Sequence, residues 1–105
     1  MANETSSVVT LDPKLEQKIM GGVKQTENGA YLNLDPELTK NIMRSVEEES
    51  KKLENLGKQP IVITSPIVRI YFKRLIEDYY RDVVVVSYNE VESSVELQSV
   101  GMVTA

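Results

Sequence analysis

The 105-residue chain contains neither histidine nor cysteine. Imidazole general-base catalysis, thiolate nucleophiles, disulfides and His- or Cys-ligated metal centres are therefore closed to it. Hydroxyls, carboxylates, cations and phenols remain. Thr64-Ser65-Pro66 stands where a β-branched run gives way to a helix start, the place where α/β folds hold a phosphate or a phosphorylatable hydroxyl. No glycines accompany it to let backbone donors wrap an anion, so Ser65 is read first as a helix cap and only in the alternative as a phosphoacceptor. Asp78, Asp82, Glu90 and Glu92 lie near strand ends, but their spacing matches no loop that converges oxygens on one hard cation. No metal and no cofactor is expected, and with no base of suitable pKa no enzyme activity. Arg69, Lys73, Arg74 and Arg81 lay cations along one helix, either as an ordinary charged face or as a dock for an acidic partner. Tyr71, Phe72, Tyr79, Tyr80 and Tyr88 are five of the chain's six aromatic residues. Phe72 and Tyr79 read as core, whereas Tyr80 and Tyr88 suit an exposed contact through a ring with a polar tip. The candidate partner surface is thus Arg69, Lys73, Arg81, Tyr80 and Tyr88.

The elements that must position these groups follow from periodicity and caps. Residues 1–7 read as a loose polar leader, and residues 8–105 as one domain. Val8 to Leu11 is a short β-prone run that ends at Asp12-Pro13, where Asp can cap and Pro can open a helix. That helix places Leu15, Ile19 and Val23 on one face and weakens at Gly21-Gly22. The same device recurs at Leu34-Asp35-Pro36, ahead of a long helix whose stripe is Leu38, Ile42, Val46, Leu53 and Leu56, with Gly57 as the stop. Glu49 and Ser50 interrupt the stripe, which predicts a helix packed at both ends and bulging over solvent between. The run Glu47-Glu48-Glu49 reads as a solvated face, with Glu47–Lys51 and Glu48–Lys52 as i,i+4 pairs.

Ile61 to Thr64 is a strand covered on both faces, and a helix from Pro66 to Tyr80 turns Val68, Phe72, Leu75, Ile76 and Tyr79 toward the sheet. Val83 to Val86 is a second buried strand, so strand, helix and strand form a parallel βαβ unit. Ser87 to Glu90 is a turn, Val95 to Gln98 alternates as a half-exposed strand, and Gly101 marks a bulge or a bend. The fold class is α/β: a small three- or four-stranded sheet with a parallel βαβ unit and about three helices packed on it.

At this size one core is possible, and with 41% hydrophobic and 27% charged residues the chain should fold. A net charge of -4 argues against a general nucleic-acid binder, since phosphate neutralisation needs an excess or a clear stripe of Lys and Arg. No stretch approaches the length of apolar sequence that a spanning helix requires.

Leu11-Asp12-Pro13 with Leu15-Glu16, the Leu53 to Gly57 helix end, Pro60 to Thr64, Arg69 after Ser65-Pro66, Val85 to Glu90, and Gln98-Ser99-Val100-Gly101 together resemble the flagellar and injectisome type III secretion export-gate proteins, the FHIPEP family. The resemblance runs from about Val9 to Val103 and is strongest from Pro60 onward. It implies the last cytoplasmic subdomain of a larger inner-membrane protein, without catalytic activity. The implied role is in a platform that docks export substrates and chaperones, with the cleft that holds them widened or narrowed by subdomain movement. Implied partners are the other subdomains of the same protein, components of the export apparatus, chaperone-substrate complexes, and further copies in a homo-oligomeric ring. The family's main substrate pocket lies in subdomains upstream of this one, so no binding residue carries over. The alternative to this reading is a stand-alone phosphoregulated switch domain with Ser65 as the acceptor.

Overall fold

Both Leu-Asp-Pro repeats start helices. In the computed structural model, which describes residues 4–105, Asp12 Oδ1 accepts from Lys14 N at 3.1 Å ahead of α1 (Pro13–Gly21). Asp35 Oδ1 accepts from Glu37 N at 2.8 Å ahead of α2 (Pro36–Asn55). Each Pro takes the first helical position, where a missing N–H leaves nothing unpaired. A third helix, α3 (Pro66–Ile76), follows the strand that the β-branched run forms.

Four parallel strands make the main sheet: β1 (Glu4–Leu11), β4 (Ile61–Thr64), β5 (Val84–Ser87) and β6 (Val95–Val103), in the order β5-β4-β1-β6. β4 and β5 are the expected parallel pair, in register from Ile61↔Val84 to Thr64↔Ser87. The steps β1 to β4 and β4 to β5 move in one direction across the sheet, so right-handed crossovers put their helices on one face. Val9, Leu11, Val62, Val85 and Val103 join the helical residues Leu15, Ile19, Ile42, Val46 and Phe72 in the core on that side. Val8 and Ile63, which alternate to the other face, are also buried. The step from β5 back to β6 runs the opposite way across the sheet.

β1 is longer than its apolar residues suggest. It pairs with β6 from Glu4↔Val95 to Leu11↔Val103 but with β4 only at Val9 and Thr10. Glu4 to Ser7, expected as part of a loose leader, are strand, because β6 supplies a ladder that polar Thr5-Ser6-Ser7 does not advertise. Residues 1–3 of that leader lie outside the described residues.

Val23 does not extend the face of α1. It opens an antiparallel hairpin of β2 (Val23–Thr26) and β3 (Gly29–Leu32). Gly22 permits this: its O accepts from Asn33 N at 2.7 Å, and a Cβ there would meet Leu34 Cδ2 at 2.5 Å. At the tip Gly29 has φ 113°, a conformation that suits glycine.

α2 does not bulge over solvent. Ile42, Val46, Ser50 and Leu53 form a continuous buried stripe, with Ser50 Oγ enclosed and unpartnered. Leu56 lies beyond the last turn at 57% exposure and is not core. Glu47 pairs with Lys51 at 3.4 Å as expected, but Lys52 meets Glu49 at 2.9 Å instead of Glu48. Glu49 is drawn inward by β6: its Oε1 accepts from Met102 N at 2.9 Å, and Ser45 Oγ accepts from Thr104 N at 2.9 Å. The expected bulge is present, since Val8 pairs with Ser99 and Val9 with Gly101, leaving Val100 as the extra residue.

α3 buries Val68, Phe72 and Ile76, but it ends at Ile76 and not Tyr80. Tyr79 N and Tyr80 N both donate to Ile76 O, at 3.0 and 2.8 Å, closing the helix in a turn. The helical period is lost there, so Tyr79 points to water at 74% exposure, in contrast to the core position expected for it. Val83 precedes β5, whose Val84 is 41% exposed because β5 is the sheet's outer strand, so the expected burial of this strand is only partial.

A Cβ on Gly101 would land on the Glu49 carboxylate. Gly101→Ala should therefore push that carboxylate off the Met102 amide and destabilise the fold by about 1 kcal/mol in urea denaturation. Adding Glu49→Ala should recover part of that loss, and strictly additive losses would contradict the contact.

Candidate functional site

Open α/β sheets bind ligands beyond the carboxyl ends of their strands, and Thr64, Ser65, Arg69, Tyr88 and Glu90 among the residues singled out in the sequence gather there. At the end of β4 the cap of α3 is not the Ser65 hydroxyl, which makes no cap hydrogen bond. Glu16 of α1 takes that role: its Oε2 accepts from Ser65 N at 2.8 Å. A carboxylate thus occupies the spot where an anion would sit on the first turn of α3. A phosphate on Ser65 would face that negative charge, which works against the phosphoacceptor alternative.

At the end of β5 the chain enters a 3₁₀ turn (Tyr88–Glu90) that Ser87 and Glu90 hold as a capping box. Glu90 Oε1 accepts from Ser87 N at 3.0 Å and from Ser87 Oγ at 2.8 Å, and Ser87 Oγ also lies against Asn89 Oδ1. Arg69 Nε stands 2.7 Å from the same Glu90 oxygen, as a close ion contact whose N–H is not aimed along the bond. These partners, the Ser87 amide first, then its hydroxyl and Arg69, hold the Glu90 carboxyl below its ordinary value. Most of the rim's polar groups are thus bonded to one another, Arg69 Nε excepted. The Ser87 hydroxyl is paired with a carboxylate held below its ordinary pKa, and the arrangement is a clasp between β5, α3 and α1.

The five residues expected to form one partner surface divide into two groups. Arg69 and the half-exposed Tyr88 belong to the rim at the first turns of α3. Lys73, Tyr80 and Arg81 lie at the other end of α3, around a hollow of about 310 Å³. Tyr80 serves packing as well: its OH donates to Met43 O at 3.2 Å, and burial, aided by the Glu47 carboxylate, pushes its phenol up. Asp78 borders the hollow, and Asp82 O accepts from Gln59 Nε2. Among the described residues, no three acidic side chains come together as a metal site.

Sequence reasoning missed Glu16 as the cap of α3, since the two partners are 49 positions apart. It also missed a hollow of about 410 Å³ between β3 and α3, because Val23 was given to the first helix and the hairpin forming one wall was not recognised. The signal available for that hairpin was Asn28-Gly29 between two short runs of alternating character.

The sequence profile of the FHIPEP family matches residues 1–96. The flagellar biosynthesis protein FlhA of Bacillus subtilis is 46% identical over 101 residues, which make up 96% of this chain and 15% of that protein. The Chlamydia pneumoniae CdsV protein superposes with a TM-score of 0.85 at 34% identity, over 96% of this chain and 29% of that one. The nonameric EscV cytosolic domain from the type III secretion system superposes with a TM-score of 0.64 at 27% identity, over 97% of this chain and 29% of that one. This chain accordingly spans a small part of the relatives it matches.

The clasp predicts a hierarchy of substitutions in thermal and urea unfolding. Glu16→Ala removes the acceptor for Ser65 N and should cost about 1–2 kcal/mol, whereas Ser65→Ala should stay within about 0.5 kcal/mol. Glu90 adds a pH dependence. Its folded pKa lies below the ordinary 4.5, so its contribution is fully present above that value and is lost as pH falls below it. Glu90→Gln should thus be less stable than the wild type at pH 7, with the gap closing in acid; a constant gap from pH 7 to 3 would contradict the charge-based role.

Proposed function

The chain belongs to the FHIPEP family, and from that premise we propose that it serves as the C-terminal cytoplasmic subdomain of a type III protein export gate. In this reading it forms part of the cytoplasmic platform that docks substrates and chaperones for flagellar, or injectisome, secretion. The observation that carries the proposal is the 46% identity to flagellar FlhA across 96% of the chain. The EscV relative adds that a domain of this fold occurs within a nonameric cytosolic assembly, which supports further copies as partners. The parent protein would sit in the bacterial inner membrane with this part on the cytoplasmic side. Among the described residues, no helix is long and apolar enough to cross a membrane.

The structure suits a mechanical role. A rim whose carboxylates already hold Ser65 N, Ser87 N and Arg69 behaves as one rigid piece. Rigid-body movement of such a piece against neighbouring subdomains would change the width of a cleft between them.

A chimaera tests this directly. The matching segment of Bacillus subtilis FlhA is replaced by this chain, and flagellin secretion and swimming are measured in a strain lacking the native protein. Secretion well above that of a chimaera truncated at the same point is the expected outcome. A chimaera that accumulates to normal levels and exports nothing would overturn the assignment.

A further inference from the structure

The hollow of about 410 Å³ between the hairpin and α3 is larger than the one of about 310 Å³ at the far end of α3. Ala30, Leu32 and Leu34 form one wall, and Tyr71 and Leu75 of α3 form the other. Arg74 is the charged side chain in its lining. Among the described residues, no carboxylate lies within ion-pair distance of it. In a chain with a net charge of -4, an unpaired guanidinium beside an apolar hollow is a local reversal of sign.

The hairpin wall carries a second, independent feature. β3 pairs with β2 alone, in register from Val23↔Leu32 to Thr26↔Gly29. Asn33 N donates across to Gly22 O, so alternation turns the backbone groups of Ala30 and Leu32 to the side away from β2. Two strands alone are marginal, and an open strand margin next to side-chain pockets is the arrangement that accepts an added strand.

We propose that this groove binds an extended peptide segment carrying a carboxylate close to a large apolar side chain. The segment adds to β3 through the free backbone groups of Ala30 and Leu32. Its apolar side chain seats between Leu34 and Leu75, and its carboxylate meets Arg74, which can hold it in a two-bond fork. A helix is a poorer fit, because the hollow has room for side chains and not for a cylinder about 10 Å across. The inference stands on the groove alone and does not depend on the export-gate assignment.

A random dodecapeptide display library selected against the full chain tests it. The expected binders combine Asp or Glu with Leu, Ile, Phe or Met. Synthetic copies should shift the backbone amide resonances of Ala30 to Leu34 and of Tyr71 to Leu75 in the labelled chain. Arg74→Glu should weaken their binding at least about tenfold while leaving the unfolding midpoint near that of the wild type. Four results would overturn the proposal: no binder enriched, binders rich in Lys and Arg, binding indifferent to Arg74→Glu, or resonance shifts confined to β6 or the rim. N-acetyl-leucine binding as tightly as the selected peptides would also overturn it, in favour of a small-molecule site.

Discussion

A parallel sheet holds when both faces of its central strands are covered, and β1 and β4 meet that constraint, with Val9 and Val62 buried on one face and Val8 and Ile63 on the other. The helices α1, α2 and α3 cover one face because the steps from β1 to β4 to β5 share a direction. The turn at Ser87 to Glu90 is heavily bonded, and it fixes the direction in which the chain leaves β5, the outer strand. Loosening Glu90 would release the Ser87 amide and hydroxyl as well as one ion pair.

The same economy governs the rim where α/β folds usually keep a ligand. Here the available donors are consumed internally, Ser65 N by Glu16 and Ser87 N by Glu90. The rim's hydrogen bonds and its ion pair thus tie β5, α1 and α3 to one another. Arg74 lies away from the rim, on the flank of α3, with no carboxylate of the described residues within ion-pair distance.

Legibility in the sequence followed the range of the interaction. The two Asp-Pro caps, the stripe of α3 and the β4–β5 pair were all readable because their signals are local: a capping side chain two residues from its donor, a period of 3.6, a β-branched run. The first half of β1 was not, since Thr5-Ser6-Ser7 becomes strand only through β6, some ninety residues on. Ser50 and Glu49 were misread for a related reason. Polarity assigned them to solvent, whereas β6, 53 positions away from Glu49 at Met102, gives the carboxylate a buried task. Tyr79 was misplaced because helical period was carried past the point where Ile76 O closes the last turn. At the rim, Arg69 was identified but not its partner, since nothing in the residues around Arg69 indicates Glu90.

The contacts from α2 to the last strand have a consequence for company. The cytosolic domain of the relative EscV is a nonamer, an assembly in which its copies are held at high local concentration. A strand at the margin of a sheet invites another to zip onto it, the first step toward uncontrolled fibre growth. Glu49 and Ser45 have already claimed the amides of Met102 and Thr104. The stretch of β6 nearest the core thereby refuses another chain's backbone, which guards this margin of the sheet against runaway strand addition however crowded its surroundings.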